Sequence, residues 1–357
     1  MVYHIPQIES EREVSVKTPQ KSISTKQEEQ IRTQFSNPRK VTCSVPPLYQ
    51  FLPFAEIQIE ARFEGGGSLP PFRGATLRGG LGYHLRHTVC HIKQGKCEDC
   101  IVQGTCAYSY IFEGIPPEDR EFMRLYPHVP QPFVLVTKHM EKMDIQPGDP
   151  FTFGFRLFGK AIDLFPYIAY SLIEMGKEGL GKERVPFTIK QIVQPRGSGI
   201  IYQDGSNRLG SLRKEYFQFQ PNQTSKIMID FLSPVRLRVG KKDVKKITFL
   251  DIVTAAVRRL AILTYFYGIP LTKACDTSEL IAGAEEVSMI SDQTQWFEFG
   301  RYSGRQDRKI LLGGLVGQMV FEGDLKSHLP LLALTQVTGI GKATSFGFGQ
   351  IRLTPNE

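Results

Sequence analysis

No stretch of this chain reaches the roughly 18 consecutive apolar residues needed to cross a bilayer. The nearest approach, Phe249 to Tyr267, carries Arg258 and Arg259 in its middle. The opening residues have no apolar core of the secretory kind, so a soluble cytoplasmic protein with no membrane partner is expected. Cysteine is scarce: six in 357 residues, which in a reducing compartment are thiols or metal ligands sooner than disulfides. Two phosphate-binding signatures are missing as well, the Gly-x-x-x-x-Gly-Lys-Ser/Thr loop and the dinucleotide fingerprint that follows the first strand of a βαβ unit. The sequence also lacks an acidic cluster of the kind that holds a catalytic metal.

What is present is positive charge and glycine. Lys plus Arg number 44 against 36 Asp plus Glu, a net charge of +8 that favours nucleic acid or a phosphorylated ligand as partner. The segment TGIGKATSFGFGQI, residues 338–351, packs Gly339, Gly341, Gly347 and Gly349 around Lys342. Glycines adopt positive φ without a Cβ penalty, and a turn made of them points successive N–H groups into one concavity that holds a phosphate. A glycine-rich β-bulge before an edge strand is the structural alternative.

Residues 1–48 are polar, with little apolar periodicity, and read as a flexible tail. From Phe54 the residues Ala55, Ile57, Ile59, Ala61 and Phe63 alternate with polar ones, the period of a half-buried strand. A helix follows with Leu77, Leu81, Leu85, Thr88 and Val89 on one face. Strands at 133–139 and 151–158, a helix at 162–175 and a strand at 187–193 complete a β-α-β-β-α-β order. Residues 196–224 read as a linker or long exposed loop. The same order then repeats: a strand at 227–239 bent at Pro234, a helix at 249–267, strands at 296–302 and 310–321, a helix at 329–337 and a strand at 348–353. The expected fold is α+β, two tandem ferredoxin-like (βαββαβ) domains at 49–200 and 222–357, with a Cys-rich insertion at 90–106.

That duplicated architecture, with Gly-x-Gly-x5-Gly-x-Gly before the last strand, resembles the RAMP superfamily of CRISPR systems. FRGATLRGGLGYHLRH at 72–87, the cysteines after it, and WFEFGRYSGRQ from Trp296 followed by LLGGLVG look like its pre-crRNA-processing endoribonucleases. The resemblance implies a CRISPR repeat RNA as partner and one cut per repeat without a catalytic metal, the 2′-hydroxyl acting as nucleophile to leave a 2′,3′-cyclic phosphate. It also implies histidines on or near the first helix. Family members often carry His immediately before the hydrophobic-Gly-Lys of the loop, and here that position is Gly339. A rival implication is a non-catalytic RAMP subunit that holds crRNA among other effector-complex subunits. A third reading, an unrelated nucleotide-binding regulator, requires a closed mononucleotide pocket.

Metal-independent cleavage needs a base for the 2′-hydroxyl, an acid for the leaving 5′-oxygen and a cation against the phosphorane. Tyr83, His84 and His87 stand on the first helix, with His91 just beyond. At 100° per residue His84 borders the apolar face, while Tyr83 and His87 turn toward solvent. His84 is favoured as the titrating group because burial shifts a pKa more readily; its structural alternative is an ordinary semi-buried histidine. Lys342 is the candidate for transition-state charge or for a plain phosphate contact.

Cys90, Cys97, Cys100 and Cys106 form C-x6-C-x2-C-x5-C. Four thiolates so spaced suit a structural zinc; an iron–sulfur cluster or ordinary buried cysteines are the alternatives, and Cys43 and Cys275 stand alone. Basic residues gather at Arg73, Arg78 and Arg86, at Arg236, Arg238, Lys241, Lys242, Lys245 and Lys246, and at Arg301, Arg305 and Arg308. Phe297, Phe299 and Tyr302 are interleaved for stacking on unpaired bases.

Overall fold

The computed structural model describes residues 51–356, apart from 93–94, 118–119, 121, 125–127, 138–142, 198, 220–223, 240–241, 272–275 and 304–307, and apart from the side chains of 301–303 and 308–309. The expected tail, Cys43, Cys275, Lys241, Arg305 and the Arg301 side chain lie outside the described residues.

Strand β1 (Phe54–Phe63) buries each of the alternating apolar residues the pattern singles out, and leaves Glu56, Gln58, Glu60 and Arg62 on its other face. The first unit continues through β2 (Gly67–Leu69), α1 (Gly74–Val89), β3 (Phe133–Val136), β4 (Met143–Ile145), β5 (Pro150–Phe158), α2 (Phe165–Glu178), β6 (Phe187–Gln194) and β7 (Gly199–Gln203). Its sheet runs β3-β5-β1-β6-β7, with β1 antiparallel to β5 and to β6, and β2 pairs separately with β4. This is the strand order of a ferredoxin-like domain plus one added strand. The addition corrects the reading of 196–224 as linker: residues 199–203 pair with β6, and Ile201 is buried. Three apolar residues in a polar stretch are too few for their period to register in sequence.

The second unit comprises β8 (Lys226–Val235), β9 (Arg238–Val239), β10 (Lys242–Asp243), α3 (Phe249–Tyr267), β11 (Ser288–Asp292), β12 (Gln295–Ser303), β13 (Arg308–Glu322), α4 (Leu329–Thr338) and β14 (Ile351–Pro355). Its sheet runs β11-β13-β8-β14, and β12 pairs with β13. The strand expected over 227–239 stops at Val235, and β9 turns back onto β10. A capping box starts α3: the Asp251 amide donates to Thr248 Oγ1 at 3.2 Å, and the Thr248 amide donates to Asp251 Oδ2 at 2.9 Å. Strands β11 and β12 follow one line along β13, through the pairs Asp292↔Met319, Gln295↔Val316 and Ser303↔Arg308. Strand β8 joins β13 only from Leu315 onward, so the end of the β12–β13 hairpin runs past the sheet.

Each unit has its own apolar core, and the two are fastened together at several places, among them Arg156 Nη1 donating to Gln336 O at 2.6 Å. Phe51, Leu52, Phe54, Val134 and Phe158 from the first unit pack into the core around α3 and α4, where the Tyr267 hydroxyl donates to the Pro130 carbonyl and the Ile269 amide to Phe51 O at 2.8 Å. A smaller cluster joins Phe72 to Leu312 and Phe348, with Phe299, Ile310 and Phe346 against it. The result is an α+β protein of two tandem ferredoxin-like domains.

Candidate nucleic-acid interface

Helix α4 is apolar nearly throughout and almost wholly buried, so its C-terminal carbonyls end inside the protein and need donors. Gly339, at φ 66°, turns the chain out of the helix and donates to Thr335 O at 2.8 Å. Arg259, 6% exposed, donates from Nε to Thr338 O at 3.2 Å, which sets a cation at the negative end of the helix. Burial pulls that guanidinium down to about 10. A charged residue inside an apolar helical run is the sequence signal for this anchor, and by itself it shows only a break in hydrophobicity.

Beyond Gly339 the loop closes on itself. The Ile340 amide donates to Gly349 O at 2.9 Å, and a Cβ on Gly349 would lie 2.0 Å from Ile340 O, so only glycine allows the crossing. The amides of Lys342, Gly347 and Gly349 donate to Arg236 O, Thr344 O and Pro234 O at 2.9, 2.9 and 3.0 Å. The amides of Gly339, Lys342, Gly347 and Gly349 are therefore bonded within the protein instead of lining a common concavity, and a Cβ on Gly341 would lie 2.4 Å from Arg236 O. What the glycines build is a close crossing of two chain arms that leaves the Lys342 side chain exposed.

Around Lys342 the charge is one-sided. Partial desolvation, and then the guanidinium groups of Arg258, Arg238 and Arg259, hold its ammonium below the usual lysine range. Arg236 and Arg238 share a single carboxylate: Arg236 donates to Asp243 from Nε at 3.0 Å and Nη2 at 2.6 Å, and Arg238 donates from Nε at 2.9 Å. Those hydrogen bonds, Arg236's first, keep the Asp243 carboxyl below its ordinary value. Lys242, Lys245 and Lys246 are exposed on the same stretch, and Lys245 Nζ stands 5.4 Å from the centroid of the Trp296 ring. Like charges gathered this way repel at Coulombic strength, and a polyanion relieves them.

Of the aromatic residues assigned to base stacking, Phe299 is otherwise engaged. Its ring lies 4.7 Å from that of Phe72 and 5.8 Å from that of Phe348, centroid to centroid. Phe297 is half-buried on the same strand, 5.8 Å from Phe299.

The histidines of α1 sit elsewhere. His84 is 6% exposed, edge-on to Tyr83 at 5.1 Å, and burial lowers its pKa, partly opposed by Glu178 and Glu174. His87 is exposed and lies 4.5 Å from the Tyr83 ring, which is 52% exposed. The helix is tied to α2 by Thr88 and Ser171, whose hydroxyls are 3.3 Å apart. The glycine-rich loop meets α1 near its start, at Gly74 and Arg78. His84 and His87 lie roughly 9 and 14 Å farther along the axis. Among the described residues, no hydrogen bond, ion pair or ring contact joins His84, His87 or Tyr83 to Lys342. The sequence groups these four as one catalytic set; the fold separates them into an α1 face and a loop.

The cysteine insertion leaves the end of α1. The Cys90 amide donates to Arg86 O at 2.9 Å and its thiol to Ile92 O at 3.1 Å; Cys97 opens a short 3-10 helix, and the Cys106 amide donates to Val102 O at 3.0 Å. All four thiols are free and partly exposed. Burial, then Glu113, pushes the Cys97 thiol up, and Cys106 and Cys90 are near enough to add to it. Among the described residues, no three His, Cys, Asp or Glu side chains are gathered around one point as ligands of an ion are. No described helix is long and apolar enough to cross a membrane.

Comparison with known proteins divides the chain at the same place as the fold. Residues 52–215 match a family model described as an N-terminal domain, and residues 229–351 match that of the CRISPR-associated endoribonuclease Cas6. An uncharacterised protein of Archaeoglobus fulgidus is 26% identical over 294 residues, covering 80% of this chain and 92% of its own. A partial Cas6-RT-Cas1–Cas2 complex aligns with a TM-score of 0.50 at 13% identity, over 86% of this chain and 47% of that one. Thermus thermophilus Cas6 aligns with a TM-score of 0.48 at 12% identity, over 85% of this chain and 99% of that one.

Proposed function

We propose, on the premise that this chain belongs through residues 229–351 to the CRISPR-associated endoribonuclease Cas6 family, that it binds a CRISPR repeat RNA and cuts it once without a catalytic metal. The observation that carries the reading is that the family match spans a basic cluster: Lys342 lies exposed within the field of Arg258, Arg238 and the buried Arg259, and Arg236 and Arg238 share the single carboxylate of Asp243. In the reaction the 2′-hydroxyl oxygen attacks the adjacent phosphorus and gives its proton to a base. The P–O5′ bond breaks, and O5′ takes a proton from an acid. A 2′,3′-cyclic phosphate and a 5′-hydroxyl result.

His87 beside Tyr83 is the accessible candidate for the acid–base work, whereas His84, favoured from sequence, is enclosed at 6% exposure. Lys342 grips the backbone of the same RNA. On this reading Lys342→Ala weakens repeat binding and lowers the slope of log affinity against log salt by about 0.7 to 0.9, one phosphate's worth. Binding isotherms at four salt concentrations measure it. An unchanged slope removes Lys342 from the interface, and a lost cleavage rate at saturating RNA places it at the scissile phosphate instead. Tight binding of the repeat with no cleavage favours a subunit that holds crRNA in an effector complex, a reading supported by Gly339 standing where relatives often carry His.

A structural zinc at Cys90, Cys97, Cys100 and Cys106 belongs to the same proposal. Four free, partly exposed thiols on one short insertion suit that ion, and Cys106 and Cys90 lie near enough to Cys97 to help push its thiol up. Bound there, zinc would tie down a segment with few core residues of its own. Purified protein is expected to carry about one equivalent, lost in Cys97→Ser with Cys100→Ser along with protection of 90–106 from protease. Iron with a visible charge-transfer band replaces zinc by a cluster. Four freely titrating thiols in folded, metal-free protein remove the site.

A further inference from the structure

The segment 343–350 is held against the first unit by contacts that RNA binding does not require. Gly74, in the first turn of α1, lets the Phe346 carbonyl come so near that a Cβ there would lie 1.8 Å from its oxygen. One turn on, the Arg78 guanidinium lies over the Phe346 ring, 4.3 Å from its centroid, and 5.4 Å from that of Phe112. Ser345 Oγ donates to Gln131 Oε1 at 3.0 Å, and Gln350 Nε2 donates to Leu135 O at 3.2 Å and to Gly347 O at 3.1 Å. The Phe72 ring lies 4.7 Å from that of Phe299, tilted by 32°, and meets Phe348 edge-on at 5.0 Å.

The units also meet at the end of α3, where Tyr267 and Ile269 meet Pro130 and Phe51, and at α4, where Arg156 Nη1 donates to Gln336 O at 2.6 Å. Each contact at a separate place on the interface removes some freedom of one unit to turn on the other, and the contacts to Phe72, Gly74 and Arg78 are among those that reach the glycine-rich loop. We propose that Phe72, Gly74 and Arg78 are positioning residues: they clip the glycine-rich loop and the root of the β12–β13 hairpin onto α1, and so set where the Lys342 cluster stands relative to the exposed His87 and Tyr83. Only the cleavage arm of the test rests on the proposed function. Gly74 is helical, at a position where alanine is ordinarily the better residue, so the close approach of Phe346 is what asks for glycine.

The test uses the full-length protein with Gly74→Ala and, as control on the same helix, Gly79→Ala, where an added Cβ meets nothing within 4 Å. Without RNA, the amides of 343–350 are expected to exchange about tenfold faster in Gly74→Ala and at the wild-type rate in Gly79→Ala, because the clip holds only the former position. With saturating repeat RNA, single-turnover cleavage by Gly74→Ala falls about 10²-fold, the cost of displacing reacting groups by an ångström, while the salt slope of binding stays. Unchanged exchange in Gly74→Ala overturns the clip. Loosened exchange with unchanged cleavage overturns positioning, and a flattened salt slope means that these residues touch RNA directly. Should Gly74→Ala not fold, Arg78→Met, which keeps the stem and loses the planar cation, gives the same readings. Should the wild type bind repeat RNA without cutting it, the function reading fails and hydrogen exchange alone judges the clip.

Discussion

A labelled cognate repeat RNA incubated with this protein in EDTA is expected to be cut at one position, to products ending in a 2′,3′-cyclic phosphate and beginning with a 5′-hydroxyl. Replacing by hydrogen the single 2′-hydroxyl before the cut removes the nucleophile itself, so cleavage falls to background while binding survives. Affinity comes from phosphates along the whole strand, which that substitution leaves in place. Gel separation of products with chemical analysis of their ends measures the first part, and a binding isotherm with the deoxy-substituted RNA measures the second. Cleavage that appears only on adding magnesium sinks the mechanism, and so does cleavage of the deoxy-substituted strand at the same bond.

His87→Ala is expected to slow single-turnover cleavage by roughly 10² to 10⁴, the usual worth of a positioned acid or base, with RNA affinity nearly intact. Tyr83→Phe keeps the ring against His87 and loses only the hydroxyl, so its effect separates a proton-carrying Tyr83 from a stacking one. His84→Ala has a different expected signature. The side chain is buried in the first unit and its lowered pKa keeps it neutral around pH 7, so truncation costs about 1–3 kcal/mol of stability with a small effect on rate. Rates, affinities and thermal unfolding of the three variants separate these cases. A slow His84→Ala with normal stability restores the sequence-based choice, and unchanged cleavage in both histidine variants puts the active site on another element.

Much of the fold was legible because its signals are local. The alternation from Ala55 to Phe63 and the apolar stripe of 249–267 each reflect one face of one element meeting a core, and such patterns survive without knowledge of partners. Where the signal was short, reading failed: β7 rests on Ile200, Ile201 and Tyr202 alone, and β11 (Ser288–Asp292) is an edge strand that is largely exposed, so no apolar alternation marks it.

The candidate site divides along the same line. Sequence by itself determined the charge excess, the duplicated βαββαβ order, the clustering of glycines around Lys342, and the spacing of four cysteines, since these depend on residue type and neighbours along the chain. Tertiary structure decided which of them meet. It bonded the amides of Gly339, Lys342, Gly347 and Gly349 to internal carbonyls, placed Arg258, Arg259, Arg236 and Arg238 around Lys342, packed the half-buried Phe299 against Phe72, and put His84 and His87 farther along α1 than Gly74 and Arg78, where the loop meets it. Apart from the local bonds of Gly339 to Thr335 and of Gly347 to Thr344, those outcomes depend on residues distant in the chain. Helical or strand period says which way a side chain faces on its own element, and only the packing of elements says what stands opposite.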